Sequence, residues 1–164
     1  MQIPLGDGLD GKVAIVTGAG AREDGIGNGR AAALLLAASG VRVLCVDRDL
    51  TLAERTAGMI EEAGHSAQAF AADVTRESDC DAMVAEALSA WGQLDILDNN
   101  VGIGSRGSVV DEAPERWRTV LEVNVDSMFL ASRAAIPVMR ETGGGAIINI
   151  ASIASIIASA HFSA

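Results

Sequence analysis

The sequence predicts an α/β fold in which a parallel sheet is covered by helices on both faces. Short, β-branched apolar segments alternate along the chain with longer amphipathic segments rich in Ala and Leu. The short segments are apolar on both faces, which is typical of strands that are buried on both sides. Glycines follow several of the longer segments, where they end helices. These observations indicate a doubly wound sheet with right-handed crossovers.

The predicted elements follow in regular alternation. Five strands are predicted, at Lys12–Thr17, Arg42–Asp47, Ser66–Ala72, Leu94–Leu97 and Ala146–Ala151. Four helices are predicted between them, at Asn28–Ser39, Leu50–Ala63, Glu77–Trp91 and Pro114–Arg140. The β-branched stretch Val120–Val125 predicts a kink in the last helix. No repeat or linker interrupts the pattern, so we expect residues 1–164 to form a single domain.

Composition narrows the class of function. The net charge is −10, from 12 basic and 22 acidic residues, and such a chain disfavours binding to nucleic acid. The longest apolar run, Ala31–Ala38, is too short to cross a bilayer, and residues 1–10 lack the pattern of a signal peptide. Cys45 and Cys80 have no metal-ligand spacing, so we expect no metal site and two reduced thiols in a cytoplasmic protein.

A glycine-rich segment separates the first strand from the first helix. It runs from Thr17 to Gly27 and includes Gly18, Gly25, Ile26 and Gly27. Glycines let the backbone turn sharply and approach a pyrophosphate, and a helix N-terminus presents N–H groups to an anion. The strand and helix on either side favour a dinucleotide site, although a tight turn that binds nothing remains the alternative.

An acidic residue closes the second strand. Asp47 lies 20 positions beyond Gly27, where a carboxylate can accept hydrogen bonds from ribose hydroxyls and repel a 2′-phosphate. This favours NAD over NADP. Arg22 and Arg48 leave NADP possible, because either guanidinium could pair with a 2′-phosphate.

Several of these segments resemble motifs of the short-chain dehydrogenases/reductases. The glycine-rich segment resembles the family's TGxxxGxG signature, with three extra residues between Gly18 and Gly25. Asp73-Val74 resembles a pair that borders the adenine ring, and its alternative is a helix cap. The last motif, similar to the family's NNAG, is Asn99-Asn100-Val101-Gly102. The resemblance implies a Rossmann-type fold, an NAD(P) cofactor, and cofactor-binding roles for Asn99, Val101 and Gly102.

Asp98, just before this motif, stands where the family has an apolar residue. Because a buried carboxylate is costly unless paired, we expect Asp98 to sit at the polar end of its strand.

The resemblance also implies catalytic roles. Asn124, in LEVNVDSMF, resembles the family's catalytic Asn at a helix kink, and Ser152, in AIINIASIAS, resembles the Ser that hydrogen-bonds the substrate oxygen. The alternatives are an Asn bonded to its local backbone and an ordinary loop Ser. The implied reaction is hydride transfer between nicotinamide and an alcohol or ketone.

Two residue types that this chemistry uses are not found where the family has them. The 164 residues contain no Tyr, and Lys12 is the only Lys. We therefore expect a truncated domain that lacks C-terminal strands and is inactive alone, in which the last strand forms a sheet edge. A non-catalytic dinucleotide-binding module is the alternative. For the full-length form the resemblance implies a homo-oligomer.

Overall fold

A computed structural model of the chain describes residues 8–21, 25–153 and 156, and it contains a five-stranded parallel sheet with helices on both faces. The strands are β1 Val13–Thr17, β2 Arg42–Asp47, β3 Ala67–Ala71, β4 Ile96–Asn99 and β5 Ala146–Asn149. The helices are α1 Asn28–Ala38, α2 Leu50–Glu62, α3 Glu77–Trp91, α4 Pro114–Leu121 and α5 Ser127–Glu141. The predicted doubly wound parallel sheet is confirmed.

The strand order is β3-β2-β1-β4-β5, so the chain moves outward from β1 in one direction and then crosses to its other side. Such a switch point opens a crevice at the carboxyl ends of β1 and β4, where ligands bind in open α/β sheets. β5 lies at the edge, and Ile148 and Ile150 on and after it are exposed.

Alternating side chains of each strand build two core layers. On one face Val13 and Ile15 pack with residues of α3 and α5, and on the other Ala14 and Val16 pack with residues of α1 and α2. All five β1 residues are buried, as expected for a central strand covered on both sides.

The boundaries of β4 and β5 differ from prediction by two residues, and those of β1 and β3 by one. β4 begins at Ile96, two residues later than expected, although Leu94 is fully buried. The residue between them, Asp95, instead accepts hydrogen bonds from the Lys12 Nζ at 2.8 Å and the Val13 N–H at 2.9 Å. β5 ends at Asn149, before the predicted Ala151, and no described strand continues the sheet beyond it.

The predicted kink is a π-helical turn. Glu122–Asp126 separates α4 from α5 and overlaps the β-branched stretch Val120–Val125, where the sequence predicts a kink. A π turn widens the helix by one residue and is frequent at functional sites. It carries Asn124.

Candidate cofactor site

The glycine-rich turn is packed so tightly that larger side chains are excluded at three of its glycines. Gly18 has φ +64°, in the left-handed region that favours glycine. A Cβ on Gly29, in the first turn of α1, would lie 2.1 Å from the Gly18 carbonyl oxygen, and one on Gly20 would lie 2.5 Å from Asp47 Oδ2. The sequence predicts Gly18 as a cofactor-binding residue. Gly20, in the same glycine-rich segment, and Gly29, two residues after that segment, are not among the residues predicted.

The N-terminus of α1 is open to an anion. Its N-cap residue is Gly27, which has no side chain that could cap the helix and which adopts an extended conformation. The first N–H groups of a helix have no partner within the helix, and the positive end of its dipole lies there. α2 differs, because Asp49 accepts a hydrogen bond from the Thr51 N–H at 3.0 Å.

Asp47 is fixed at the end of β2 by two backbone hydrogen bonds. Its Oδ2 accepts from the Gly20 N–H and its Oδ1 from the Asp49 N–H, both at 3.0 Å. The carboxylate thus stands at the mouth of the glycine turn. Arg48 follows Asp47 and borders a cleft that lies at the carboxyl ends of the strands. Arg22 lies outside the described residues.

Asp73 follows β3 and forms a local turn. Its Oδ1 accepts from the Thr75 hydroxyl at 2.7 Å and from the Thr75 N–H at 3.1 Å. The Thr75 hydroxyl hydrogen bond lowers the pKa of Asp73 below its usual value, against the opposing effect of burial. Asp73 and Val74 both line the cleft.

Thr17 and Asn100 join β1 to β4 at the floor of the cleft. The Thr17 hydroxyl donates to the Asp98 carbonyl and accepts from the Asn100 N–H, both at 3.1 Å. Asn100 Nδ2 lies 3.3 Å from the carbonyl oxygens of Thr17 and Gly18. The two Asn of the NNVG motif therefore divide their roles. Asn100 lines the cleft, whereas Asn99 Nδ2 donates to Asn149 Oδ1 at 2.9 Å and lies outside the lining.

Asn124 is tied to the loop after β4. Its Oδ1 accepts from the Ile103 N–H, and its Nδ2 donates to the Ile103 carbonyl, both at 2.8 Å. The π-helical turn thereby holds the loop wall, which includes Gly102 and Ile103, beside the cleft. Ser152 lies three residues past the end of β5, is exposed, and does not line the cleft.

These parts enclose a cleft of about 590 Å³. Of the cofactor-binding residues that the sequence predicts, eight line it: Gly18, Gly27, Asp47, Arg48, Asp73, Val74, Val101 and Gly102. Gly25 and Ile26 lie in the described part of the turn but outside the lining, and the side chain of Ile26 is exposed. Arg116, Thr119 and Val123 also line the cleft; no motif marked them.

Asp98 is not at a polar strand end. It pairs with Val16 and Ile148 inside the sheet, is 4% exposed, and its Oδ1 has no hydrogen-bond partner among the described residues. Burial raises the pKa of its carboxyl. The strand continues through Asp98 because backbone pairing holds it whatever its side chain.

Neither a metal site nor a membrane-spanning helix is found in the described part of the chain. No group of three or more His, Cys, Asp or Glu side chains there could hold a metal ion. No helix in the same residues has the length and apolar character needed to span a bilayer.

Comparison with known proteins gives a consistent result. Residues 12–164 match the family model described as short chain dehydrogenase. The chain is 40% identical over 149 residues to 2-(S)-hydroxypropyl-CoM dehydrogenase 3 of Xanthobacter autotrophicus, covering 91% of this chain and 56% of that protein. It is 37% identical over 158 residues to cyclohexanol dehydrogenase of an Acinetobacter species, covering 96% of this chain and 61% of that protein.

Solved structures agree in fold. A short chain dehydrogenase from Mycobacterium smegmatis superposes with a TM-score of 0.88 at 33% identity, over 94% of this chain and 64% of that one. The chain thus spans about three fifths of the length of the relatives that it matches.

Proposed function

The chain belongs to the short-chain dehydrogenase family, and on that premise we propose that it forms the NAD-binding part of an alcohol or ketone oxidoreductase. The observation that carries the proposal is the glycine-lined cradle between the carboxyl end of β1 and the N-terminus of α1. The close packing of this turn requires glycine at Gly29 and Gly20, where a Cβ would overlap the Gly18 carbonyl and the Asp47 carboxylate, respectively. When bound there, NAD supplies a hydride acceptor for alcohol oxidation, and NADH a hydride donor for ketone reduction.

The chain's own groups would divide the cofactor between them. The uncapped N-terminus of α1 offers N–H groups and a positive dipole end to the pyrophosphate. Asp73 and Val74 would border the adenine ring, and Val101 and Gly102 the path toward the nicotinamide. Gly25, Ile26 and Asn99 stay predictions as cofactor contacts, as does Arg22.

NAD is preferred to NADP in this proposal because of Asp47. Its carboxylate stands beside Gly20, held by two N–H groups, and would accept hydrogen bonds from the ribose hydroxyls. A 2′-phosphate in the same place would meet a fixed negative charge. Arg48 lines the cleft as well, and it is the residue that could favour NADP.

For catalysis, Asn124 and Ser152 remain the proposed residues of this chain. The π-helical turn at Asn124 and its two bonds to Ile103 support a role in shaping the wall near the reacting groups. Ser152 would hydrogen-bond the substrate oxygen. The 164 residues contain no Tyr to act as general acid or base, so we propose that the chain alone binds cofactor without turnover. A binding module without chemistry is the alternative, and we propose a cytoplasmic location for either.

The test is a titration of this chain with NADH, followed by the change in NADH fluorescence. Saturable one-site binding, displaced by NAD, is the expected result. No saturable binding of NADH or NADPH would end the proposal. Activity of a chain extended to the relatives' length, lost on Ser152→Ala, would distinguish the oxidoreductase from the binding module.

The preference for NAD gives a prediction at Asp47. Asp47→Asn keeps the side chain's size and one acceptor oxygen but removes its charge. We expect NADH to bind about tenfold more weakly and NADPH to bind as well or better, since one lost charge-assisted hydrogen bond is worth roughly 1.5–3 kcal/mol. The ratio of the two dissociation constants, measured by fluorescence, checks it; Asp49→Asn is the control. An unchanged ratio would contradict the assignment.

We also propose that the full-length protein self-associates through an apolar stripe that runs along α4, the π-helical turn and α5. Trp117, Val125, Phe129 and Ile136 are 43%, 55%, 63% and 44% exposed, and the first three fall at multiples of four residues. An exposed stripe of this kind marks interaction surfaces.

Phe129→Glu is expected to shift this chain, or its extended form, toward monomer in sedimentation velocity. Leu35→Glu is the control, because Leu35 is an exposed apolar residue on α1, away from the stripe. If both variants sediment as the wild type does, the stripe is not the interface.

A further inference from the structure

A buried arginine lies beneath the glycine-rich turn. Arg30, the third residue of α1, is 1% exposed. A buried guanidinium is costly unless its charge is paired or its donors are satisfied. No carboxylate among the described residues forms an ion pair with it. Among the described residues, the cost of its burial is offset by what its N–H groups contact.

The guanidinium donates to the backbone of the turn and to one hydroxyl. Nη1 donates to the Gly25 carbonyl at 2.7 Å, and Nη2 to the Ala21 carbonyl at 3.2 Å. Nε donates to Thr56 Oγ1 at 3.0 Å. One side chain thus holds the carbonyls of both Ala21 and Gly25, in the segment between Gly18 and the N-terminus of α1.

Thr56 extends this contact to a third carbonyl. It lies on α2, is fully buried, and its hydroxyl donates to the Ala19 carbonyl at 2.8 Å while accepting from Arg30. The carbonyls of Ala19, Ala21 and Gly25 are therefore all bound from below. In a trans peptide the C=O and the next N–H point in opposite directions, so the Gly20 and Ile26 N–H groups point away from this contact. That of Gly20 reaches Asp47.

We propose that Arg30 is a positioning residue for the phosphate-binding turn, and that Arg30 and Thr56 hold its backbone in the shape that receives a diphosphate. The proposal rests on the proposed function. The fixed Gly25 carbonyl keeps the Ile26 N–H turned away from the guanidinium, and the cation beneath the turn adds a positive potential that an uncharged ligand does not feel. An apolar residue of similar size would fill the space but leave two carbonyls unpaired.

The test compares ligands with and without phosphates. Arg30→Met keeps the apolar stem and removes the charge and the donors; Arg30→Lys keeps the charge without the planar fork. Dissociation constants for ADP and adenosine are measured by amide chemical shifts on the ¹⁵N-labelled chain, and that for NADH by fluorescence. We expect Arg30→Met to weaken ADP and NADH about tenfold or more, with adenosine changed less than about twofold and Arg30→Lys between the two.

Two controls distinguish a specific loss of phosphate binding from a general loss of structure. Arg133→Met removes an exposed cation on α5 that does not line the cleft, and should leave ADP binding as in the wild type. Urea unfolding of each variant reports whether the fold persists. Equal weakening of ADP and adenosine by Arg30→Met, or no weakening of ADP, would overturn the proposal.

A ligand-free measurement separates this proposal from the proposed function. In Arg30→Met, amide shifts and hydrogen exchange should change at Gly18–Ala21 and Gly25–Gly29 but not in β2 or β3. Changes spread across the sheet, or none in the turn, would count against the positioning role. If the wild-type chain binds neither ADP nor NADH, the proposed function fails. The phosphate role of Arg30 then fails with it, and the exchange data decide only whether Arg30 orders the turn.

Discussion

Replacing Gly29 by alanine is expected to abolish detectable NADH binding and to destabilise the chain. The new Cβ would lie 2.1 Å from the Gly18 carbonyl oxygen and 2.5 Å from Asn100 Nδ2. The first of these atoms is backbone and cannot swing away, so α1 or the glycine turn must shift. Alanine gains about 1 kcal/mol of helix propensity over glycine, but a clash with backbone puts the overpacking cost at the upper end of its usual range, about 3 kcal/mol. The unfolding free energy in urea should therefore fall by about 2 kcal/mol.

Gly58 provides the matched control. It lies within α2, and a Cβ there would meet no atom within 4 Å. Gly58→Ala should therefore raise the unfolding free energy by about 0.5–1 kcal/mol and leave NADH binding unchanged. The two substitutions are chemically identical, so their difference isolates the contact with Gly18. Equal stability and equal NADH affinity in both variants would refute the tight packing described for the turn.

The helices and the central strands could be predicted from the spacing of apolar residues, because strands that are buried on both faces are continuously apolar and helices are amphipathic. The central strands β1 and β2 were found within a residue of their bounds. β4 was misplaced because Leu94 is apolar and Asp98 is not, whereas pairing with β1 and β5 fixes the strand through its backbone. Side-chain polarity is a poor guide to a strand whose neighbours decide its register.

The site was partly predictable for a similar reason. The glycines, Asp47 and the NNVG motif can be recognised as candidate cofactor-binding residues, because each has a characteristic residue type at or after the end of a strand. Most of them line the cleft. Arg30 and Thr56 could not be found that way, since an arginine on a helix is usually solvated and only the fold reveals that it is buried. The sequence predicts a kink in the stretch that contains Asn124 from its β-branched residues, but such residues do not by themselves indicate a π-helical turn.

Asp98→Asn is expected to stabilise the chain at neutral pH, with a gain that grows as the pH rises. The carboxyl is 4% exposed, and burial raises its pKa. At low pH the Asp98 carboxyl is uncharged in both the folded and the unfolded protein. As the pH rises it ionises first in the unfolded protein, near pH ~3.9. The folded state therefore loses stability as the pH rises from there through the raised pKa. Because the amide does not ionise, the variant escapes this loss, and we expect a gain of about 1 kcal/mol or more at pH 7.

Asp95 supplies the control of opposite sign. Burial alone would raise the pKa of Asp95, but hydrogen bonds from the Lys12 ammonium, the Val13 N–H and Gln93 outweigh it and lower the pKa. Its contribution is present above pH ~3.9 and is lost as the pH falls through the lowered pKa. Asp95→Asn should therefore cost about 1 kcal/mol at pH 7 and less in acid, the half-exposed Lys12 limiting the effect.

Urea unfolding of both variants at pH 2.5, 4, 5.5 and 7 tests the two predictions, because the contribution of Asp95 is lost only below about pH 4. For Asp98→Asn the difference from wild type should become more stabilising as the pH rises, and for Asp95→Asn more destabilising. The opposite trends have a structural cause: Asp95, just before β4, and Asp98, within β4, lie in different surroundings although they are only three residues apart. Asp95 meets a cation at the amino end of the sheet, and Asp98 lies inside it with one oxygen unpartnered among the described residues. A destabilised Asp98→Asn at pH 7 would mean that its carboxylate has a partner in solution.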